Sequence, residues 1–347
     1  MTPHSFTPSH ADVVAELDAA LERLLAIPDE ASVDPLWTAA AAEVRALALR
    51  GGKRVRPLLL LAGYELATGR AGVPAGVVDF AAALELLHAF LLVHDDVADR
   101  ADLRRGGPAL HKRLGEGRLG EDLAIVAGDH LFARSVEGML ASGLTGAPAA
   151  TRYLLGVCRQ TAIGQYLDLS LSRAPLAEVT LFQTLRVANL KTARYGFVAP
   201  LVSGAMLGGG SEALREALAS VGRHVGLAFQ MRDDLLGLFG DDRQTGKSGS
   251  GDYLEGKRSF PLIAAYVRAD AAGRRSLERL WAAEPKTEAL AGRARVLIDG
   301  YGGRAATERV IARSTRAARR ALAAVPAAGG ARAVLDSLLT HLAHRAA

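Results

Sequence analysis

The chain has 347 residues, of which 50% are hydrophobic and 23% charged, a composition that excludes a disordered chain and can supply a substantial core. Its formal net charge of +5 is modest and its Arg and Lys residues are dispersed, which argues against a nucleic-acid partner. Cys158 is the single cysteine, so an internal disulfide and a cysteine-based metal site are both excluded.

Residues 1–10 precede the first helical pattern, and we expect a disordered tail there, followed by one domain over residues 11–347. The tail has no charged start followed by an apolar core, so it does not predict a signal peptide. The most apolar stretches of the chain are short or interrupted by charge, so we predict no transmembrane helix. We therefore expect a cytoplasmic protein.

From Ala11 onward, apolar residues recur at three- and four-residue steps, which predicts amphipathic helices. Breaks rich in Gly and Pro separate them, and no alternating run is long enough to predict a convincing strand. No repeat period or linker composition is found, so we predict an all-α protein built as a single large helical bundle. The helical pattern returns near residues 34–50, 57–69, 76–98, 121–142, 148–171, 178–207, 211–238, 254–269 and 302–325.

Two of these helices are apolar on nearly all sides before they reach a pair of aspartates. One ends at Asp95 and Asp96, and the other, from Val225 to Leu238, contains Asp233 and Asp234. A helix that is apolar all round is usually buried. We therefore expect two sets of carboxylates at a central cavity between helices.

The first aspartate motif has the spacing of a metal-binding face. On a helix, Asp95 and Asp99 point the same way, while Asp96 is rotated by about 100°. Oxygen ligands on one face suit Mg²⁺, which binds through one or two carboxylates together with substrate phosphate. Taken alone, the motif is equally compatible with a solvated acidic helix end, and Asp233 with Asp234 is a weaker signal still.

Cationic residues accompany both aspartate motifs. The segment from Gly51 to Pro57 places a flexible turn rich in N–H groups before a helix with proline in its first turn, an arrangement that suits an anion. Lys53 and Arg56 are three residues apart and can face one anion. Any single cation is compatible with a solvated surface charge, but their position beside both carboxylate motifs indicates a polyanionic substrate. The other cations of this kind are Arg104, Arg105, Lys191, Lys247 and Lys257.

The motifs occur in one order along the chain: GGKRVRP, ELLHAFLLVHDDVAD, RADLRRGGPALH, AIVAGD, GQYLDL, NLKTARYGF and AFQMRDDLL, then TGK and GD–LEGKR. From about residue 45 to 268 the series resembles the trans-isoprenyl (polyprenyl) diphosphate synthase family, closest to the short-chain geranylgeranyl and farnesyl diphosphate synthases. The resemblance implies an isoprenoid synthase fold and a prenyltransferase that condenses isopentenyl diphosphate head to tail with allylic diphosphates. It also implies a homodimer that depends on Mg²⁺, with three ions bound together with substrate diphosphate.

The resemblance implies a role for each residue that matches a family motif. For the metal these are Asp95, Asp96, Asp99, Asp233 and Asp234. For the diphosphate of isopentenyl diphosphate they are Gly52, Lys53, Arg56, His88 and Arg105. For the allylic diphosphate they are Arg104, Lys191, Lys247 and Lys257, while Thr192 and Gln230 line the reacting centre with Lys191.

One position departs from the family pattern. The second motif usually has a third aspartate where this chain has Gly237. Asp241 and Asp242 follow shortly and are candidates to compensate, and we expect Gly237→Asp to lower the Mg²⁺ requirement. A catalytically weak partner subunit is therefore one alternative. A class I terpene cyclase is another, although it would need no second diphosphate site.

Product length is read from the helix that leads to Asp95. With the diphosphate held at Asp95, Phe90 and Leu87 lie about 7.5 and 12 Å back along the helix axis, and Leu91 is the other candidate for the floor of the product site. The resemblance implies that bulky residues here stop elongation. The aromatic residue at 90 and the leucine at 91 favour geranylgeranyl diphosphate, with farnesyl diphosphate as the alternative.

Overall fold

The structure is a computed structural model that describes residues 8–26, 33–240, 250–325 and 329–344. Helices dominate it, and the only strands in this part of the chain form a two-residue antiparallel pair. The elements of the first half are α1 (Pro8–Leu25), α2 (Pro35–Leu49), α3 (Val55–Thr68), α4 (Ala75–Ala98), β1 (Leu103–Arg104), β2 (Gly107–Pro108), α5 (Leu110–Leu114) and α6 (Gly117–Leu140).

The second half begins with α7 (Ala147–Leu171) and a 3₁₀ turn at Leu176–Glu178. A π-helical segment at Ala188–Val198 joins α8 (Leu181–Val187) to α9 (Ala199–Leu207). The remaining helices are α10 (Glu212–Phe239), α11 (Gly251–Leu254), α12 (Phe260–Arg268), α13 (Ala271–Ala282), α14 (Glu288–Gly300), α15 (Gly303–Ala323) and α16 (Gly329–His344).

Short polar side chains fix where several helices begin. The Asp34 carboxylate accepts from the backbone N–H of Leu36 at the start of α2, where Pro35 occupies the first helical position. Thr180 and Gln183 form a reciprocal capping box at the start of α8. Ser211 accepts from the backbone N–H of Leu214 and so caps α10. Each cap satisfies a backbone donor that the helix itself leaves without a partner.

The chain separates into two compact units. The first unit comprises residues 1–152, 203–210 and 328–331, and the second comprises residues 153–202, 211–327 and 332–347. The prediction of one domain over 11–347 stays a prediction beside this division. Helix α1 already begins at Pro8, within the predicted tail, and residues 1–7 of that tail lie outside the described residues.

In the first unit, the 24-residue helix α4 packs against α1, α3 and α6. Among the described residues it is the one helix long and apolar enough to cross a membrane by length and composition alone. Inside the protein, 67% of its most apolar window is buried. This burial is typical of a core helix, and it agrees with the sequence prediction that α4 is central.

In the second unit, α10 packs against the π-helical segment and α15. Glycines allow the first of these contacts: a Cβ at Gly226 would lie 2.4 Å from Cα of Ala193, and one at Gly222 would lie 2.8 Å from Cα of Val198. No side chain fits in these gaps, so the backbones can approach closely. The π-helical turns are therefore held directly against the helix that carries the second aspartate pair.

The sequence prediction and the structure differ most between residues 171 and 300. The pattern predicts one helix near 178–207, where the structure has a 3₁₀ turn, α8, the π-helical segment and α9. Apolar spacing stays near three to four residues through all of them, so it does not distinguish these helix types. Helices α13 and α14 were not predicted individually.

Candidate active site

The first aspartate motif lies at the carboxyl end of α4. Asp95 and Asp99 are partly exposed, whereas Asp96 is only 1% exposed. The backbone N–H of Asp99 donates to the carbonyl of Asp95 at 2.8 Å, which closes the last helical turn. Asp96 thus differs from Asp95 and Asp99 in burial, and their shared direction stays a prediction.

An arginine neutralises the buried member of this pair. The Nε of Arg104 donates to Oδ1 of Asp96 at 2.8 Å, and its Nη2 is a second close partner of the same oxygen. Burial raises the pKa of Asp96, while the hydrogen bond and charge of Arg104 oppose that rise. Arg104, which the family resemblance assigns to the allylic diphosphate, is thus already held beside the aspartates.

The β1–β2 hairpin presents the next arginine. Arg105 (φ 51°) and Gly106 (φ 74°) form its turn in left-handed conformations, and a non-glycine residue in that region costs about 1 kcal/mol or more. The Nη1 of Arg50, at the end of α2, donates to the carbonyls of Arg104 at 3.0 Å and Pro108 at 2.9 Å. Arg50 was not predicted as a site residue, and it holds the hairpin in place.

Four of the predicted residues for the second diphosphate come together beside this hairpin. A Cβ at Gly52 would lie 3.1 Å from Cζ of Arg105, so glycine leaves room for that guanidinium. The Nη1 of Arg56 and Nε2 of His88 are 2.9 Å apart. Burial, followed by the charge of Arg56, lowers the pKa of His88 well below its usual range, so the imidazole is neutral. Lys53, the fifth of these residues, is exposed.

A buried ion-pair network, not anticipated from the sequence, supports these cations. Arg54 (φ 45°) begins α3 in a left-handed conformation and is 2% exposed. Its Nη1 donates to Oε1 of Glu85 at 3.0 Å, and the Nη2 of Arg105 donates to the same oxygen at 2.9 Å. The signal was present in the sequence, since Glu85 is the only charged residue on α4 between Asp79 and Asp95.

The second aspartate pair lies near the end of α10. Asp233 is exposed and Asp234 is buried. The Nε2 of Gln230 donates to Oδ1 of Asp234 at 2.7 Å, and the backbone N–H of Phe260 donates to Oδ2 at 3.3 Å. Burial raises the pKa of Asp234 to about 7, although these hydrogen bonds favour the charged form. The hydroxyl of Thr192 donates to Gln230, so the two predicted reaction-centre residues are in contact.

Gly237 faces a carboxylate that the sequence did not assign. A Cβ at 237 would lie 2.5 Å from Oδ1 of Asp252, on the short helix α11. Burial, opposed first by the charge of Lys257, raises the pKa of Asp252 well above its usual range. The space that a third aspartate would enter is therefore already filled by a carboxylate from α11. Asp241 and Asp242, the compensating candidates, lie outside the described residues.

Two of the predicted lysines of the second unit, Lys191 and Lys257, have acidic neighbours. The Nζ of Lys191, on the π-helical segment, lies 2.8 Å from Oδ2 of Asp168 on α7. A Cβ at Gly164 would lie 2.6 Å from the backbone nitrogen of Lys191, so glycine lets α7 approach this turn. Lys257 pairs closely with Glu255. Lys247 lies outside the described residues.

The product-length candidates differ in their surroundings. Leu87 is fully buried, whereas Phe90 and Leu91 are partly exposed. The Phe90 ring packs against two rings, those of His94 on α4 and Phe132 on α6, with centroid distances of 4.7 and 5.2 Å. Phe90 is thus an aromatic side chain held on two sides, and Phe132 is a neighbour that the sequence did not suggest.

The acidic side chains suit Mg²⁺ in type and exposure. Within the described ranges, no three His, Cys, Asp or Glu side chains are grouped closely enough to hold a metal ion by themselves. Within the first unit, Asp95 and Asp99 have carboxylates that keep solvent access, and within the second unit the same is true of Asp233. Such sparse oxygen donors fit an ion that keeps several waters and takes its other ligands from substrate phosphate.

Comparison with known proteins identifies the family. The model of the polyprenyl synthetase family matches residues 39–296. This chain belongs to that family. Its fold is the all-α isoprenoid synthase fold, as the sequence predicted, and the geranylgeranyl pyrophosphate synthase of Corynebacterium glutamicum, solved with isoprenyl diphosphate and magnesium, superposes with a TM-score of 0.88. That structure is 30% identical, and the match covers 96% of this chain and 99% of that one.

Two archaeal proteins are similar to this chain in sequence. A short chain isoprenyl diphosphate synthase of Methanothermobacter thermautotrophicus is 37% identical over 228 residues, which are 65% of this chain and 67% of that protein. A geranylgeranyl diphosphate synthase of Methanosarcina mazei is 34% identical over 262 residues, which are 73% and 74% of the two chains.

Proposed function

We propose that this chain is a Mg²⁺-dependent prenyltransferase that condenses isopentenyl diphosphate head to tail with allylic diphosphates, with geranylgeranyl diphosphate as its main product. The observation that carries the proposal is the pair of cations Arg56 and Arg105, which lie with Gly52 and the neutral His88 in the same unit as the first aspartate motif. We call these four residues the cation cluster. A terpene cyclase acts on one diphosphate and has no use for this additional set of cations.

In the first unit, the proposed roles separate into two groups. Asp95 and Asp99 hold Mg²⁺ on the allylic diphosphate, and Asp96 supports them through Arg104. Isopentenyl diphosphate takes its contacts from the cation cluster and Lys53. The neutral imidazole of His88 adds no charge to this cluster. Its Nε2 lies 2.9 Å from Nη1 of Arg56 and holds that guanidinium in position.

In the second unit, Asp233 is the proposed direct ligand of Mg²⁺, and three ions are proposed in total. Asp234 supports Asp233 and reaches the metal through water. Asp252 takes the place of the third aspartate of the motif, where this chain has Gly237. Lys191, Lys247 and Lys257 hold the allylic diphosphate. Thr192 and Gln230, which contact one another, line the reacting centre.

The residues act mainly through charge. Loss of diphosphate from an allylic carbon leaves a delocalised carbocation, and fixed cations such as Arg104 and Lys191 stabilise the charge that develops on the leaving group. Mg²⁺, when bound, supplies further neutralisation of that charge. The double bond of isopentenyl diphosphate attacks the cation, and a proton then passes to the departed diphosphate. No side-chain base is required, and apolar walls exclude the water that would quench the cation.

Product length is proposed to be limited at Phe90. The ring lies one and a half turns before Asp95, and Phe132 and His94 hold it on two sides. We expect Phe90→Ala to give products of twenty-five carbons or more, and Leu91→Phe to give shorter ones. Product analysis by chromatography with each short allylic diphosphate checks this. An unchanged spectrum for Phe90→Ala would place the stop elsewhere, and Phe182→Ala, at an exposed phenylalanine of the second unit, is the control.

The deciding experiment measures release of diphosphate from an allylic substrate with and without isopentenyl diphosphate. A synthase needs both substrates, a cyclase needs only the allylic one, and a catalytically weak partner subunit releases little with either. A farnesyl product would identify the alternative chain length. Homodimer formation and a cytoplasmic location complete the proposal, and sedimentation of the purified chain tests the first of these.

A further inference from the structure

Glu85 is a buried carboxylate with two arginine partners. It is 3% exposed, and its Oε1 accepts from Arg54 at 3.0 Å and from Arg105 at 2.9 Å. A buried charge persists only where other charges and hydrogen bonds compensate it. Here the compensation comes from two arginines that belong to different segments, the turn before α3 and the β1–β2 hairpin.

A second carboxylate reaches the same arginine from α1. The Nη2 of Arg54 lies 2.9 Å from Oδ1 of Asp18, whose side chain is 45% exposed. Helix α1 is anchored by Leu17, Ala20 and Leu21, all fully buried. This helix precedes residue 39, where the family model begins to match. A residue outside the matched region therefore contacts the turn that carries Gly52 and Lys53.

Without these carboxylates the local charge would be strongly positive. Arg54, Arg56, Arg104 and Arg105 all act electrostatically on His88, so they lie within range of one another. Like charges at such distances repel, most strongly where water is excluded. Glu85 offsets this repulsion for the two arginines that it bonds, and it fixes both guanidiniums through a single oxygen.

We propose that Glu85, assisted by Asp18, is a positioning residue for the diphosphate of isopentenyl diphosphate. It holds Arg105 beside Gly52, and it keeps Arg54 in the left-handed conformation that sets the path of the chain between Lys53 and Arg56. The substrate then meets cations that are already ordered, so little of the binding energy is lost in arranging them. This inference rests on the proposed function of the cation cluster.

Glu85→Gln in the full chain is the primary test, because it keeps the side-chain volume and removes the charge. The matched control is Asp79→Asn, which removes another ion pair between α4 and α1, that of Asp79 with Arg23. Steady-state kinetics give the KM for each substrate. Calorimetry with the allylic substrate absent gives the affinity for isopentenyl diphosphate directly.

For Glu85→Gln we expect the KM for isopentenyl diphosphate to rise about tenfold, in line with the loss of hydrogen bonds to a charged group. The KM for the allylic substrate should stay within about twofold of the wild-type value. A merely structural role would change both KM values together, and that result, or an effect no larger than that of Asp79→Asn, would overturn the proposal.

A second variant covers the case in which Glu85→Gln does not fold. Asp18→Asn leaves Glu85 in place, and the half-exposed position predicts a smaller rise, about threefold, in the KM for isopentenyl diphosphate. The control is Glu22→Gln, at a residue on the same helix as Asp18, which removes an exposed ion pair with Arg45 of α2. Equal KM values for Asp18→Asn and its control would contradict the proposal. If the wild type forms no product, the proposed function fails, and the calorimetric comparison still decides the role of Glu85.

Discussion

In each aspartate pair, Asp95–Asp96 and Asp233–Asp234, the first carboxylate keeps solvent exposure and the second is buried. The buried members are compensated in different ways. Asp96 has an arginine at bonding distance, whereas Asp234 accepts hydrogen bonds from an amide and a backbone N–H while neighbouring aspartates oppose its ionisation. In both pairs, the Asp-Asp dipeptide near a helix end therefore provides one exposed and one buried carboxylate. The groups that surround the buried carboxylate differ between the two pairs.

The difference sets the charge of each cluster before substrate binds. In the first unit, the Arg104 guanidinium favours a charged Asp96 against the effect of burial. In the second unit, burial and the neighbouring Asp233 raise the pKa of Asp234 to about 7, and burial raises the pKa of Asp252 as well. The second cluster is therefore the one whose protonation changes near pH 7.

The largest expected effect comes from the exposed members. Asp95→Ala and Asp233→Ala should each abolish turnover without unfolding the protein, since each removes a proposed direct ligand of Mg²⁺ and relieves repulsion between carboxylates. Activity assays and circular dichroism check this. Asp79→Ala and Glu216→Ala are controls on the same two helices. Retention of more than about a tenth of the wild-type rate, a loss under roughly 1.4 kcal/mol, would show that the residue is not essential.

The next effect tests the arginine that compensates Asp96. Arg104→Leu leaves a buried carboxylate without its charged partner, and we expect the free energy of unfolding to fall by about 3 kcal/mol at neutral pH. Denaturant unfolding of the metal-free protein measures it. Arg113→Leu, which breaks an exposed pair with Glu43, should cost less than about 1 kcal/mol. Equal losses in the two variants would mean that Asp96 is not dependent on Arg104.

Gly237→Asp tests whether Asp252 has taken the third position of the second motif. The new Cβ would lie 2.5 Å from Oδ1 of Asp252. We therefore expect crowding and repulsion to lower the free energy of unfolding by about 2 kcal/mol. The sequence alone suggested only a benefit, a lower Mg²⁺ requirement. Adding Asp252→Ala should recover part of that loss, because the second change removes the crowded group. Additive losses in the double variant would argue against this account.

The smallest effect concerns pH. Because the folded pKa of Asp234 is raised to about 7, the folded protein binds a proton more tightly than the unfolded chain between about pH 4 and 7, and stability falls as pH rises through that window. Asp234→Asn should remove this fall, so the variant gains about 1.4 kcal/mol relative to wild type between pH 6 and 8. Unfolding curves of metal-free protein check it. A pH-independent difference would mean that Asp234 titrates normally.

The sequence predicted the exposed residues of both clusters better than their supports. The DDxxD spacing places Asp95 and Asp99 from helix geometry alone, and the family motifs supply Arg56, His88 and Arg105. The roles of Glu85 and Asp252 were not predicted, because they depend on which segments, distant in sequence, pack beside them. The left-handed turn at Arg54 escaped for a related reason, since local sequence rules assign such turns to glycine, and here buried ion pairs stabilise an arginine in that conformation.

The apolar character of α4 has a consequence for biosynthesis. Helix α4 is made before residues 117–140, the segment that forms α6 and packs against it. Until that segment has left the ribosome, much of the apolar surface of Ala75–Ala98 lacks its cover, and exposed surface of this kind promotes aggregation. Folding yield should therefore depend on how quickly α6 follows α4 out of the ribosome, and translation that slows after α4 has emerged and before α6 has emerged should lower it.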